Sequence, residues 1–275
     1  MATVTELTTY PVKGCAGVPL TEAAITPAGL AHDRSFMVVS DRGVFKTQRR
    51  DPKLATIRPR VASDGGLLTL GAPGFEDLDL LVDVTGERRP VDLFGTAYRG
   101  IDQGDAAAQW LTEVLGRPSR LVRVPPEHDR NTSGSTPGTA GYADSSAVLV
   151  TTRSSLDLLN HRLVTRGAAP VPMNRFRANI VIDGWDDPHA EDRARRLTIG
   201  TAGLAYAKLA IRCAVTMVEQ ETGAKAGPEP LRTLADYRRA ARGGVAFGVR
   251  YAVLRPGRAA VGETVQVTEW GPSEL

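Results

Sequence analysis

The sequence predicts a mainly β protein with a few helices, an α+β fold in which a first, β-rich unit is followed by a second unit of strands and helices. Two observations carry this. Short β-branched or alternating segments recur at even spacing through the first third of the chain, punctuated by Asp-Gly and Gly-Gly turn signals. The helical period of 3.6 replaces the strand period in only a few later windows.

Taken in order, residues 4–10, 18–25 and 35–39 read as strands, and Asp41-Arg42-Gly43 as a hairpin turn leading into a strand at 44–48. Strands at 55–61 and 67–70 flank Asp64-Gly65-Gly66, and 78–84 and 89–94 continue the spacing of a barrel or sandwich. Residues 105–115 place apolar side chains on one helical face and stop at Gly116, closing the first unit. Residues 125–141, rich in Pro, Gly, Ser and Thr, are expected to form a mobile surface loop. Beyond it, 147–151 reads as a buried strand and 154–163 as a capped helix. Strands follow at 179–183, 196–199, 204–211 and 214–218, then a helix at 230–242 and closing strands at 246–254 and 264–268. There is no internal repeat.

Composition excludes several classes. A chain of 275 residues buries a sizeable core without staples, and its two cysteines, Cys15 and Cys213, exclude a disulfide framework. No Cys or His cluster has zinc spacing. The N-terminus lacks a basic start followed by an apolar run, and no window reaches the ~18 apolar residues of a membrane span. A soluble, cytoplasmic protein without a membrane partner is expected. Net charge is +3 from scattered, largely matched charges and aromatic content is 5%, which argues against a nucleic-acid partner. Asn131-Thr132-Ser133 is a glycosylation sequon without the secretory context to use it.

The usual Gly-rich phosphate loops, the His-Glu-x-x-His zinc motif and the Gly-x-Ser-x-Gly elbow are absent. The four histidines, His32, His128, His161 and His189, are isolated and read as surface or capping residues. What stands out is Cys213 in Ile211-Arg212-Cys213-Ala214. A thiol beside a guanidinium is favoured as thiolate, the form that soft metals and nucleophilic chemistry require; the competing reading of a lone strand cysteine is a small buried hydrophobe.

Polar residues at the ends of apolar strands form a longer pattern. Tyr10-Pro11-Val12-Lys13-Gly14-Cys15, Asp33-Arg34-x-Phe36 and Thr47-Gln48-Arg49 resemble the N-terminal β-barrel that precedes a MOSC domain. Asp144-Ser145-Ser146, Asn174-Arg175-Phe176-Arg177-Ala178-Asn179, Ala190-Glu191-Asp192, Arg212-Cys213-x-x-Thr216 and Glu229-Pro230-Leu231 resemble the MOSC domain itself. The resemblance implies a β-barrel-like unit over 1–120 packed against a β-barrel MOSC domain over 121–270, and a molybdenum-cofactor protein similar to the amidoxime-reducing components and their bacterial relatives.

By that resemblance Cys213 is the protein ligand of the molybdenum. Lys13, Arg34, Arg177 and Asn179 hold the phosphate of the molybdopterin, in keeping with the fit of guanidinium forks to phosphate oxygens. Asp144, Ser145 and Ser146 lie near metal and pterin, with turn formation as the plain reading of the serines. Arg212, Thr47 and Arg49 face the same cleft. Gly14 stands where the family often has serine and offers backbone contact only, and Ala210 replaces a second cysteine of many relatives; Cys15 is structural. The implied activity is reduction of N-hydroxylated small molecules (hydroxylamines, amidoximes, N-hydroxylated bases), with Asp144 either handling protons or bonding backbone. Electrons are expected from a separate flavin or iron–sulfur partner, because the chain has no cysteine-rich ferredoxin-like extension. The alternative is a carrier without turnover, in which Cys213 holds sulfur as a persulfide or the domain carries the cofactor.

Overall fold

The computed structural model describes residues 1–241 and 243–275. Its largest sheet has eight strands in the order Val265–Trp270, Ala194–Ile199, Ala202–Arg212, Val245–Arg255, Val148–Thr152, Ile180–Asp183, Thr3–Thr9 and Val18–Leu20. All neighbours run antiparallel except Val148–Thr152 and Ile180–Asp183. A parallel pair needs a crossover. Here it is helix α2, Arg153–Thr165, whose start is capped by Thr152 Oγ1 accepting from Ser155 N at 3.2 Å. Apolar side chains from Thr3–Thr9 (Val4, Leu7) share one buried core with Val150, Ile180, Leu204 and Val249, so the first strand of the chain belongs physically to the second unit.

The remainder of the first unit consists of a five-stranded sheet, ordered Arg88–Leu93, Thr96–Asp102, Arg120–Arg123, Phe36–Val39, Val12–Lys13, and a three-stranded sheet of Arg58–Val61, Leu67–Ala72 and Phe75–Leu81. Helix α1, Asp105–Leu115, buries Ala107, Leu111 and Val114 against Leu54, Leu68 and Leu70. It ends, as expected, at Gly116 in the left-handed conformation (φ 68°) that glycine alone enters without cost.

The mainly β class holds, with three α-helices among the described residues. Among the described residues no ladder closes into a barrel. The large sheet comes near it: Val4 N donates to Glu263 O and Val265 N to Ala2 O, both at 2.9 Å, but the contact is a lone bridge, Thr3 to Thr264.

Four local expectations are corrected. Residues 44–48 form only isolated bridges, because the chain turns at Thr47, whose carbonyl accepts from Arg50 N and Asp51 N (3.0 and 2.8 Å). Residues 214–218 are not a strand but a 3-10 turn, Ala214–Met217, in which Cys213 O accepts from both Thr216 N and Thr216 Oγ1 at 3.0 Å. The third helix is shorter, Leu231–Tyr237, because Arg238 turns inward to form a buried two-pronged pair with Asp192 at 2.7 and 3.0 Å; residue 242 of the expected helix lies outside the described residues. The 125–141 segment is tied down by polar bonds: Arg130 Nη1 donates to Gly141 O and Ala143 O (2.7 and 2.5 Å), and Ser135 N to Ala207 O (2.7 Å). No helix among the described residues is long and apolar enough to cross a membrane.

Beside the Arg238–Asp192 pair lies Glu191, fully buried, accepting from the hydroxyls of Ser155 (2.9 Å) and Thr152 (3.1 Å). Burial, and then the charge of Asp192, pushes its acid up to about 7. The folded state thus binds this proton more tightly than the unfolded chain, and stability is lost as pH rises from about 4.5 to 7. At ~1.4 kcal/mol per pKa unit the loss is roughly 2–3 kcal/mol. Urea midpoints measured from pH 5 to 8 are expected to fall for the wild type and to flatten for Glu191→Gln; parallel profiles would remove Glu191 as the cause.

Candidate functional site

A cavity of about 300 Å³ opens between the two units. The first unit contributes Lys13, Gly14, Arg34, Thr47 and Arg49 to its wall, and the second Asp144, Arg177, Arg212 and Cys213. Nine of the expected positions therefore converge although they span 200 residues, from 13 to 213. Three do not line it. Asn179 stands behind the wall, its Oδ1 accepting from Arg34 Nη1 (3.0 Å) and Leu149 N (3.1 Å), its Nδ2 donating to Asp33 Oδ1 (3.0 Å) and Thr8 O (3.1 Å). Its amide is thus taken up by protein partners, Arg34 among them. Ser145 and Ser146 follow Asp144 with buried hydroxyls that have no protein partner.

Local backbone aims the arginines. Arg34 and Arg177 both occupy the left-handed region (φ 47° and 55°), a conformation costing of order 1 kcal/mol or more for a non-glycine residue. Their guanidiniums lie 4.4 and 4.3 Å from the centroid of the buried Tyr10 ring, which favours the cations from its face. Arg34 is further fixed by Asp33 Oδ2 at 2.6 Å. Arg177 Nη1 donates to Gln220 Oε1 at 3.0 Å, while its Nη2 is buried without an acceptor. Arg212 Nη2 donates to Phe176 O at 2.5 Å, and its Nε and Nη1 are likewise buried and unpartnered. Burial lowers the pKa of both, Arg212 to about 10 with Arg250 as the next cause.

Lys13 is buried, donates to Tyr142 O at 2.9 Å and pairs with the half-exposed Asp144. Burial lowers the pKa of Lys13 against the pull of Asp144. Enclosure in the cleft works against ionisation of Asp144, but Lys13 and then Arg250 override it and hold the carboxyl well below the usual range. Asp144 is therefore held ionised as the counter-charge beside Lys13 Nζ.

The two cysteines contrast. Cys213 is exposed where strand Ala202–Arg212 gives way to the 3-10 turn, so its thiol faces the cleft as the chain bends away. Cys15 is fully buried, and burial pushes its thiol up to about 12, which leaves it unreactive.

Three wall or support residues, Gln48, Gln220 and Arg250, had no role assigned from the sequence. Gln48 Nε2 donates to Gly14 O (2.7 Å) and to Gln220 Oε1 (3.0 Å), and Gln220 returns a bond to Gln48 Oε1 (2.9 Å), joining the units beside Arg177. Arg250 lines the cleft from within strand Val245–Arg255. The one available signal for Arg250 was a charged side chain inside an otherwise buried strand.

A family model described as the MOSC N-terminal beta barrel domain matches residues 1–118, and one described as the MOSC domain matches 137–266. Mitochondrial amidoxime-reducing component 1 of Homo sapiens is 34% identical over 285 residues, covering 96% of this chain and 82% of that protein. The chain belongs to the MOSC family. Mitochondrial amidoxime reducing component 2 of Bos taurus is 31% identical over 291 residues, covering 96% of this MOSC protein and 83% of its own length. Molybdenum cofactor sulfurase of Danio rerio is 32% identical over 268 residues, covering 91% of the MOSC chain but only 32% of its own. The cleft described above lies between the stretches that the two family models match.

Proposed function

We propose that this MOSC protein binds a molybdenum cofactor in the cleft, with Cys213 as metal ligand, and reduces N-hydroxylated small molecules. The observation that carries the proposal is that one cavity is lined by an exposed thiol and by Arg177 and Arg212, whose guanidiniums have three buried nitrogens without acceptors. Each buried unpartnered donor costs about 1–3 kcal/mol, a cost removed when an anion enters. A phosphate-bearing pterin with a soft metal answers both features, since guanidinium forks suit phosphate and thiolate suits soft metals. The relatives named for amidoxime reduction support the choice of substrate.

When bound, the cofactor supplies two-electron chemistry that takes oxygen from an N–O bond. The chain supplies the rest. Cys213 Sγ ligates; Arg177, Arg212 and Arg34 hold the phosphate, with Asp33 and Asn179 fixing Arg34. Lys13 Nζ, with Asp144 as counter-charge, is the group able to deliver a proton, so Asp144 acts through Lys13. Electrons come from a separate flavin or iron–sulfur protein.

A second reading has one support: the exposed Cys213 thiol also suits sulfur transfer, and one relative is named a molybdenum cofactor sulfurase. Protein from a molybdenum-competent host separates the two. Near-stoichiometric molybdenum and pterin, with reduction of an amidoxime by an artificial donor, is expected; an extra sulfur on Cys213 by mass spectrometry with neither metal nor pterin would replace reduction by sulfur transfer.

A further inference from the structure

The cleft carries more positive charge than a cofactor phosphate uses. Lys13 is paired with Asp144 and Arg34 with Asp33, and the unpartnered N–H groups of Arg177 and Arg212 are assigned to the anion proposed above. Arg250 is left over. Among the described residues its guanidinium has no hydrogen-bond or ion-pair partner; burial works against its charge, and the main favourable field comes from Asp144, already paired.

Its place in the sheet adds to the cost. In strand register Arg250 faces Leu149 on one side and Lys208 on the other, and like charges directly opposite on paired strands repel. Neither Lys208 nor the neighbouring Arg130 brings a counter-charge, since Lys208 donates to Ser133 Oγ (3.1 Å) and Arg130 to the Gly141 and Ala143 carbonyls (2.7 and 2.5 Å). An apolar residue at 250 would pack beside Leu149 without this penalty. The fold does not need a cation here, whereas an anion in the cleft would offset it. Phe45 and Phe94, ring centroids 4.5 Å apart, line the same cavity and offer an apolar surface to the body of such a molecule.

We propose that Arg250, with Lys208 behind it, binds a carboxylate or phosphate group of the substrate, so that the compounds reduced in this cleft are anionic N-hydroxylated molecules. The inference rests on the reductase reading, and its test is chosen to fail separately.

Protein isolated from a molybdenum-competent host is titrated by calorimetry with benzamidoxime and with para-carboxybenzamidoxime, as wild type, Arg250→Gln and Arg250→Lys, and pterin content is measured on each. Wild type is expected to bind the carboxylate compound about tenfold more tightly, the scale of one charge-assisted hydrogen bond. The preference should vanish in Arg250→Gln, largely survive in Arg250→Lys and shrink with added salt, with affinity for the neutral compound and pterin content unchanged. Equal wild-type affinities, a preference that survives Arg250→Gln, or loss of pterin in Arg250→Gln would overturn the proposal, the last by moving Arg250 to the cofactor. Turnover is scored in parallel. Selective binding without reduction of either compound removes the reductase reading and keeps the anion site; reduction of both without selectivity does the reverse.

Discussion

Cys213→Ser is expected to leave the fold intact and to remove both metal and turnover. The side chain is exposed, so exchanging sulfur for oxygen disturbs no packing, and the melting temperature should stay within a degree or two of wild type. The hydroxyl is a hard, protonated group where a soft thiolate is needed. Residues that merely orient a metal ligand typically cost about 10–100-fold when changed, so losing the ligand itself should exceed ~100-fold in activity and in molybdenum content. Cys15→Ser provides the opposite pattern. Its hydroxyl would be buried in an apolar core, costing about 1–3 kcal/mol of stability, while molybdenum content per folded molecule holds. Metal analysis and melting curves on both variants check this; full turnover in Cys213→Ser would remove the ligand assignment.

Arg177→Met is expected to move stability and cofactor binding in opposite directions. The guanidinium is buried, its charge is disfavoured by burial, and Nη2 has no acceptor among the protein groups. Methionine keeps most of the volume without the charge, and replacing buried ionic groups by apolar ones is often neutral or stabilising. Cofactor-free Arg177→Met should melt no lower than wild type, although the Gln220 bond is lost. Pterin affinity should fall at least about tenfold with one charge-assisted contact to phosphate gone. A structural arginine would give the reverse: lower melting temperature and unchanged pterin occupancy. Pterin fluorescence after dialysis and melting of cofactor-free protein distinguish the outcomes.

What the sequence disclosed, and what it hid, follows from the range of the forces involved. Helix α1 was legible to the residue because apolar spacing and the Gly116 stop are local signals. The motifs around Lys13, Arg34, Asp144, Arg177 and Cys213 indicated a shared site, and the structure brings those side chains to one cavity. Strand 214–218 misled because β-branched Val215 and Thr216 suit a strand, whereas a side-chain bond from Thr216 to Cys213 O favours a tight turn. The pinned 125–141 segment was hidden because its anchors are guanidinium-to-carbonyl bonds, which leave no apolar trace. Asn179, expected to meet the phosphate, lies behind the wall with its amide bonded to Arg34 and Asp33: sequence reports that a polar residue is needed, not which way it faces. Gln220 acts through Gln48 and Arg177 and Arg250 reaches the cleft from a strand far along the chain, relations that no window of sequence contains.

The position of the first strand has a consequence for how the chain is made. Val18–Leu20 can cover one edge of the earliest strand at once, but Leu7 pairs with Ile180 and Thr3 with Asp183 on the other edge, whose partner is made only about two thirds of the way along the chain. At ~5–20 residues per second the wait is of order ten to thirty seconds. During that time the edge of residues 3–9 that faces Ile180–Asp183 stays unpaired and Val4 and Leu7 lack their core neighbours, the kind of segment to which chaperones and other nascent chains attach. Moving this strand by circular permutation to a new terminus after Trp270, where the Val4 and Val265 contacts already bring the ends together, should shorten that exposure and raise the soluble yield of newly made protein.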